Sequence, residues 1–253
     1  MLRICAKLKK SLLRFFANLR CTPVVFNERK QHKELVTMNT PLKLKYKSYE
    51  FGEFDIHLRT LKDRNQFTDL DDQALNLGIS NAQWPIFGVV WDSGLVMAHE
   101  MLTQEIEGKK VLDVGCGMAI ASHLLIARGA NITATDYHPE VEAFLKGNIL
   151  LNKSDDIPFV LEDWSTENSK LGKFDLIIGS DLLYEVEHIE LLSKFLEAHA
   201  NDKCEIIITD PKRGNANKFT RCMESFGFTH TQKKSAYEKD FKGNIHRYLR
   251  DNF

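Results

Sequence analysis

The sequence predicts an α/β protein with a doubly wound, mostly parallel seven-stranded sheet and helices on both faces, preceded by an N-terminal β-hairpin. From residue 108 onwards, short apolar strands alternate with amphipathic helices. Before that point, residues 43–61 alternate apolar and polar side chains on either side of Gly52, which is typical of a hairpin. Residues 174–180 are strongly apolar, as expected for a strand in the middle of a parallel sheet.

Each predicted element follows from its pattern. The hairpin strands span 43–51 and 56–61, and the polar, Asp-rich stretch 65–84 is a loop or short helix. The remaining strands are 111–114, 131–136, 159–161, 174–180, 205–209, 229–234 and 245–250, of which the last two are antiparallel. The helices between them are 119–128, 139–152, 189–199 and 217–226. In such Rossmann-like sheets ligands bind beyond the carboxyl ends of the strands, so functional residues are expected directly after strands.

Charge divides the chain into two parts. Residues 1–37 contain nine Lys or Arg and two Glu, and are predicted to be a basic, disordered or untranslated extension, with a targeting role as the alternative. Residues 38–253 are mildly acidic and form the predicted domain, which includes the hairpin at about 43–61. An acidic body does not favour a nucleic-acid partner.

The cysteine count and the apolar runs restrict the environment of the protein. Five cysteines without a C-x-x-C pair predict a reducing compartment and no disulfide framework or metal site. No apolar run approaches the roughly 20 residues that a membrane helix needs. We therefore expect a cytoplasmic protein, or a mitochondrial one if the source is eukaryotic.

A glycine-rich turn follows the first strand of the alternating region. Gly115 and Gly117 allow a tight turn and the close approach of a ligand, and the next helix points its N-terminus at that ligand. The sixth position of a dinucleotide fingerprint would be Gly or Ala but is Ile120 here. The turn therefore predicts a ligand site but does not match the dinucleotide fingerprint.

Two carboxylates narrow the choice of ligand. Asp113 stands two residues before the first glycine, where it would repel a pyrophosphate but attract a cation. Asp136 ends the second strand, where a carboxylate commonly binds ribose hydroxyls. S-adenosylmethionine (SAM) has a ribose and positively charged ammonium and sulfonium groups, so these residues predict SAM as the cofactor. The alternative is that both are ordinary turn or cap residues.

The segment Leu112–Gly117 resembles the cofactor loop of class I, seven-β-strand SAM-dependent methyltransferases, although Ala119 stands where a third glycine is usual. A longer stretch, 84–228, is similar to one branch, the protein-lysine methyltransferases and their nicotinamide N-methylase-like bacterial relatives. Four motifs support that likeness: Val90–Gly94, Thr135–Tyr137, Asp163-Trp164 and the acid-x-x-Tyr motif Asp181–Tyr184.

The resemblance implies methyl transfer to a lysine of a protein substrate. For such an acceptor, Asp181 is expected to orient the incoming amine and Tyr184 to form a wall and offer its hydroxyl. The alternative is that Asp181 caps the following segment and Tyr184 packs against the sheet. The resemblance places seven residues around SAM, with Trp164 beside the adenine: Trp91, Gly115, Cys116, Gly117, Asp136, Trp164 and Ser180. The charge argument adds Asp113. No nucleophilic side chain is required, because the cofactor supplies the electrophile.

Other functions stay open on the sequence alone. A small-molecule N-methyltransferase fits the same motifs, and Ala119 gives some support to a SAM-binding module without catalysis. An adenine-N6 methyltransferase is disfavoured, because Ser180–Tyr184 lacks the Asn/Asp-Pro-Pro-aromatic pattern of those enzymes. The basic pair Lys212-Arg213, at the same rim of the predicted sheet, either contacts an acidic substrate or is solvated.

Overall fold

The computed structural model describes residues 42–69, 72–237 and 241–251. The predicted basic extension, residues 1–37, lies outside these ranges. Within them, no helix combines the length and apolar character needed to cross a bilayer. The same ranges contain no group of three or more His, Cys, Asp or Glu side chains arranged to hold a metal ion.

The described chain forms two sheets. The hairpin consists of β1 (Leu44–Phe51) and β2 (Phe54–Leu61), as predicted. The main sheet consists of β3 (Lys110–Val114), β4 (Asn131–Asp136), β5 (Phe159–Leu161), β6 (Phe174–Ser180), β7 (Ala200–Asp210), β8 (Thr229–Lys233) and β9 (Asn244–Asp251). Its spatial order is β5-β4-β3-β6-β7-β9-β8. Strand β9 pairs antiparallel with β7 and β8, and the other neighbouring strands of this sheet pair parallel. The helices are α1 (Gln73–Asn76), α2 (Asp92–Met101), α3 (Ile120–Ala127), α4 (Val141–Asn152), α5 (Ile189–His199) and α6 (Ala216–Ser225).

Helices cover both faces of the main sheet, which confirms the doubly wound architecture. Successive strand residues point to opposite faces. On β6, Leu176 and Ile178 belong to the core formed with the hairpin, α2, α3 and α4. Ile177, between them, belongs to the core formed with α5 and α6.

Strand β7 is longer than its sequence pattern indicates. It begins at Ala200 rather than Glu205, and Phe174 pairs with Ala200 because β7 has extra residues at a shift in the β6–β7 register. The polar residues at its start hide this extension, because they lack the apolar pattern of a buried strand. Pairing of Lys203 with Asp251 of β9 supports the extra length.

Two asparagines of α4 attach the hairpin to the body. The Oδ1 atom of Asn148 accepts the N–H of Arg59 at 2.8 Å. The side chain of Asn152 bonds both backbone groups of His57, accepting the N–H at 2.8 Å and donating to the carbonyl at 2.7 Å. These backbone groups lie on the edge of β2 that faces away from β1, where they would otherwise lack protein partners.

The order of the strands positions the functional site. From β3 the chain proceeds through β4 and β5 to one side of the sheet, whereas β6 and β7 lie on the other side. Such a switch point opens a crevice beyond the carboxyl ends of the two central strands. The glycine turn after β3 and residues 181–184 after β6 meet there.

Candidate active site

One large cavity, of about 780 Å³, lies at this switch point. All ten residues singled out from the sequence line it: Trp91, Asp113, Gly115, Cys116, Gly117, Asp136, Trp164, Ser180, Asp181 and Tyr184. The structure therefore brings together residues that are up to 93 positions apart in the chain (184 − 91). Their individual roles remain predictions.

The glycine turn has the backbone conformation that its sequence suggests. Gly115 and Gly117 have φ angles of 59° and 51°, in the left-handed region that glycine adopts most readily. A Cβ atom on Gly117 would lie 3.3 Å from the carbonyl oxygen of Phe87, so the turn is also closely covered. Ala119 has a φ of 53°, so alanine adopts the conformation expected of the usual third glycine.

Leu182 joins the glycine turn to the loop after β6. A Cβ atom added to Gly115 would lie 2.6 Å from Cδ2 of Leu182, and one added to Gly179 would lie 2.5 Å from its Cδ1. The leucine side chain is buried and occupies the space that these two glycines leave free. The position of the cofactor turn and that of the Asp181 loop are therefore linked by direct packing.

Asp136 joins the end of β4 to the glycine turn by hydrogen bonds. Its Oδ2 accepts the N–H of Gly117 at 2.9 Å, and its Oδ1 accepts the N–H of His138 at 2.9 Å. Burial raises the pKa of this carboxyl, and the backbone N–H groups partly offset that rise. Each oxygen keeps a further lone pair for a ligand hydroxyl.

Asp113 is a buried carboxyl that lines the cavity and has a raised pKa. It is 5% exposed and accepts a hydrogen bond from Oγ of Ser122 at 2.6 Å. Burial, with a smaller contribution from the charge of Asp136, raises the pKa of Asp113 to about 7. A cationic ligand beside this carboxyl would favour its ionised form.

Cys116 is unsuited to act as a nucleophile. Burial, followed by the charges of Asp136 and Asp113, raises the pKa of its thiol well above the usual range. The reactive thiolate is therefore suppressed.

The two tryptophans frame the cavity from separate loops. The Nε1 of Trp91 donates to the carbonyl of Ile86 at 3.1 Å, and the guanidinium of Arg64 stacks over its ring at 5.3 Å. Trp164 contacts His188 edge-on, with ring centroids 6.1 Å apart. Both rings are partly exposed at the cavity, where a flat aromatic ligand can pack on them.

Asp181 forms a bidentate ion pair with Arg213. Nε of Arg213 donates to Oδ1 at 2.8 Å and Nη2 donates to Oδ2 at 2.7 Å. The hydrogen bond to Asp181 raises the pKa of the guanidinium. The sequence offered an acidic substrate or solvent as the surroundings of Arg213, whereas the structure gives it a partner within the protein.

Tyr184 stands at the open side of the cavity. It is 42% exposed, and its pKa is raised by partial burial and by the nearby Tyr137, Glu185 and Asp136. Its hydroxyl therefore stays protonated and can donate a hydrogen bond. Tyr137, which also lines the cavity, is a second aromatic residue at this rim.

The residues present fit SAM better than an anionic cofactor. Six carboxylates and two guanidinium groups line the described cavity: Asp113, Asp136, Glu162, Asp163, Asp181, Glu185, Arg64 and Arg213. Both guanidinium groups have partners within the protein, since Arg64 lies over the ring of Trp91 and Arg213 pairs with Asp181. The buried carboxylates Asp113 and Asp136 lie on the side of the glycine turn. A cationic ligand with ribose hydroxyls matches that arrangement.

The fold is similar to that of a known methyltransferase, the magnesium protoporphyrin IX methyltransferase of Synechocystis PCC 6803, which was crystallised with bound SAM. That structure is similar with a TM-score of 0.54 and 20% sequence identity, and the match covers 74% of this chain and 100% of that one. The class of the protein follows from its sequence, because residues 69–226 match the lysine methyltransferase family and this stretch is more than half of the chain. The chain therefore belongs to the lysine methyltransferase family.

Curated relatives are similar over shorter stretches. A histidine protein methyltransferase 1 homologue from Dictyostelium discoideum is 31% identical over 124 residues, which are 46% of this chain and 40% of that protein. The protein N-lysine methyltransferase METTL21A of Danio rerio is 32% identical over 121 residues, which are 44% of this chain and 55% of that protein. The chain thus spans about half the length of these relatives.

Proposed function

We propose that this protein uses SAM to methylate a lysine side chain of a protein substrate. One observation carries the proposal: a single cavity has buried carboxylates beside a glycine turn at one end, and Asp181 and Tyr184 at its rim. The end beside the glycine turn suits a cationic nucleoside, and the rim with Asp181 and Tyr184 suits an amine. When bound, SAM supplies an electrophilic methyl group that passes to the amine nitrogen while the sulfur keeps the bonding electron pair.

The residues of the chain would align the reactants. Asp136 would hold the ribose, Asp113 would face the positive end of the cofactor, and Trp164 would pack beside the adenine. Asp181 would accept a hydrogen bond from the acceptor amine, and Tyr184 would form the adjacent wall. Such positioning lowers the barrier to a direct displacement.

An exposed apolar rim supports a protein substrate rather than an enclosed small molecule. Five cavity-lining side chains are between 38% and 49% exposed: Leu77, Ile86, Tyr137, Tyr184 and Leu191. Apolar and aromatic residues at a surface are typical of protein contacts.

The test is methyl transfer from labelled SAM into a cell extract that is then separated into protein, nucleic-acid and small-molecule fractions. Label on lysine of a protein band is expected, with Asp181→Asn lowering the rate on the order of a hundredfold while binding of S-adenosylhomocysteine (SAH) persists. Asp202→Asn, which alters an exposed carboxylate on β7, serves as the matched control. Label on histidine would change the acceptor, and label only in small molecules would contradict the proposal.

We propose the cytoplasm as the location, or the mitochondrion if the source is eukaryotic. The described cysteines, Cys116, Cys204 and Cys222, are free thiols, which supports a reducing compartment. The basic composition of residues 1–37 supports the mitochondrial alternative.

A further inference from the structure

The ion pair between Asp181 and Arg213 is bidentate. Two parallel hydrogen bonds, of 2.8 and 2.7 Å, join the planar guanidinium to both carboxylate oxygens. The Asp181 side chain is 11% exposed and that of Arg213 is 42% exposed, so the carboxylate lies in the cavity wall and the guanidinium lies nearer to solvent. Pairs of this kind are both stronger and more directional than single hydrogen bonds.

The backbone on each side aims the two side chains at each other. Asp181 has a left-handed φ of 57°, and its N–H bonds the carbonyl of Thr209 at 2.9 Å. The carboxylate of Asp210 accepts the N–H groups of Lys212 and Arg213, at 3.1 and 3.2 Å, which fixes the turn after β7.

A third contact links the same two loops. Nδ2 of Asn215 donates to the carbonyl of Leu183 at 2.9 Å. The loops are therefore held together independently of the ion pair, so Arg213 is not needed merely to close them.

The charge of this pair matters for an amine acceptor. A lysine with a pKa of about 10.4 enters as an ammonium at neutral pH and must lose its proton to solvent before its nitrogen can attack. An unpaired carboxylate beside the amine would retain that proton, whereas a carboxylate already neutralised by a guanidinium would not. The paired carboxylate still has lone pairs that accept an N–H from the amine.

We propose that Arg213 is a positioning residue that neutralises Asp181, so that the acceptor lysine is oriented by the carboxylate without being held as an ammonium. This inference rests on the proposed lysine methyltransferase function. The two residues have different roles toward the acceptor lysine: Asp181 orients the amine, and Arg213 keeps Asp181 from retaining the proton of the amine.

The test compares Arg213→Gln with Lys212→Gln, which removes the same charge from an exposed neighbour in the same turn. For Arg213→Gln we expect the rising limb of the kcat–pH profile to move to higher pH, because kcat reports ionisations in the enzyme–substrate complex. A shift of one pH unit lowers kcat at pH 7.5 about tenfold while activity recovers at alkaline pH. KM should fall, because the unpaired carboxylate of Asp181 binds the ammonium form. Arg213→Lys should restore part of the neutral-pH rate.

A binding measurement keeps the inference separate from the proposed function. In the SAH-bound full chain, Arg213→Gln should bind n-butylammonium at pH 7.5 about tenfold more tightly than wild type by NMR titration, and Lys212→Gln should match wild type. Equal affinity in all three proteins, or a loss of kcat that is the same at every pH, would overturn the role of Arg213. Tighter butylammonium binding without methylation of any protein would instead overturn the proposed function.

Discussion

The packing of Leu182 into the space beside Gly115 makes Gly115→Ala the most informative single substitution. The new Cβ would lie 2.6 Å from Cδ2 of Leu182, at a residue whose φ is 59°. A left-handed alanine costs about 1–2 kcal/mol, and overpacking costs about 1–3 kcal/mol more. Reduced entropy of the unfolded chain returns about 0.4–1 kcal/mol. The net loss is therefore about 1–4.5 kcal/mol, with about 3 as the central value.

Thermal unfolding can separate the clash from the backbone cost. A loss of about 3 kcal/mol corresponds to a fall in Tm of roughly 6–12 °C for a domain of this size. Gly108→Ala is the control, because Gly108 has a similar φ of 70° and nothing within 4 Å of the added Cβ. It should lose no more than about 1.5 kcal/mol.

A double-mutant cycle then identifies the clashing partner. The penalty of Gly115→Ala should shrink to that of Gly108→Ala in a Leu182→Ala background, because contacting residues are not additive. Equal falls in Tm for the two glycine variants, or the same Gly115→Ala penalty with and without Leu182, would refute the packing argument.

Three further predictions concern pH and the hairpin. Because the pKa of Asp113 is about 7, calorimetry should show SAM binding up to about tenfold tighter at pH 8 than at pH 6, and Asp113→Asn should remove this dependence. Asn148→Ala leaves the N–H of Arg59 without its partner, so urea unfolding should show a loss of about 1–3 kcal/mol; unchanged stability would contradict the attachment. Burial lowers the pKa of His123 to about 4 from 6.5. The unfolded chain therefore takes up more protons between those values, and stability is lost as pH falls. Between pH 7 and pH 5, His123→Leu should therefore lose roughly 2 kcal/mol less unfolding free energy than the wild type. Equal losses in the two proteins would refute this.

The sequence predicted the elements whose patterns are local. The apolar strand 174–180 and the hairpin alternation correspond closely to β6 and to β1 and β2. The residue types at fixed positions of the glycine turn, Asp113 and Ile120, also distinguished it from a dinucleotide loop. These features depend on neighbours within a few positions, where periodicity and turn chemistry are informative.

Contacts between distant loops could not be predicted in this way. Arg213 lies 32 positions from Asp181, and its side chain is aimed by a turn that only the fold brings to the cavity. The fit of Leu182 against Gly115 and Gly179 depends on the β3–β6 pairing. A basic pair and a leucine are common residues, so neither carries a local signal of these roles.

The two edges of the hairpin are protected against pairing with strands of other molecules. A two-stranded sheet has two free edges, and free edges recruit strands from other molecules. Asn148 and Asn152 occupy one edge, along β2. The exposed Lys45 and Lys47 lie on β1, where charge discourages a neighbouring strand. The protein can therefore carry an extra pair of strands beside its main sheet without offering a template for aggregation.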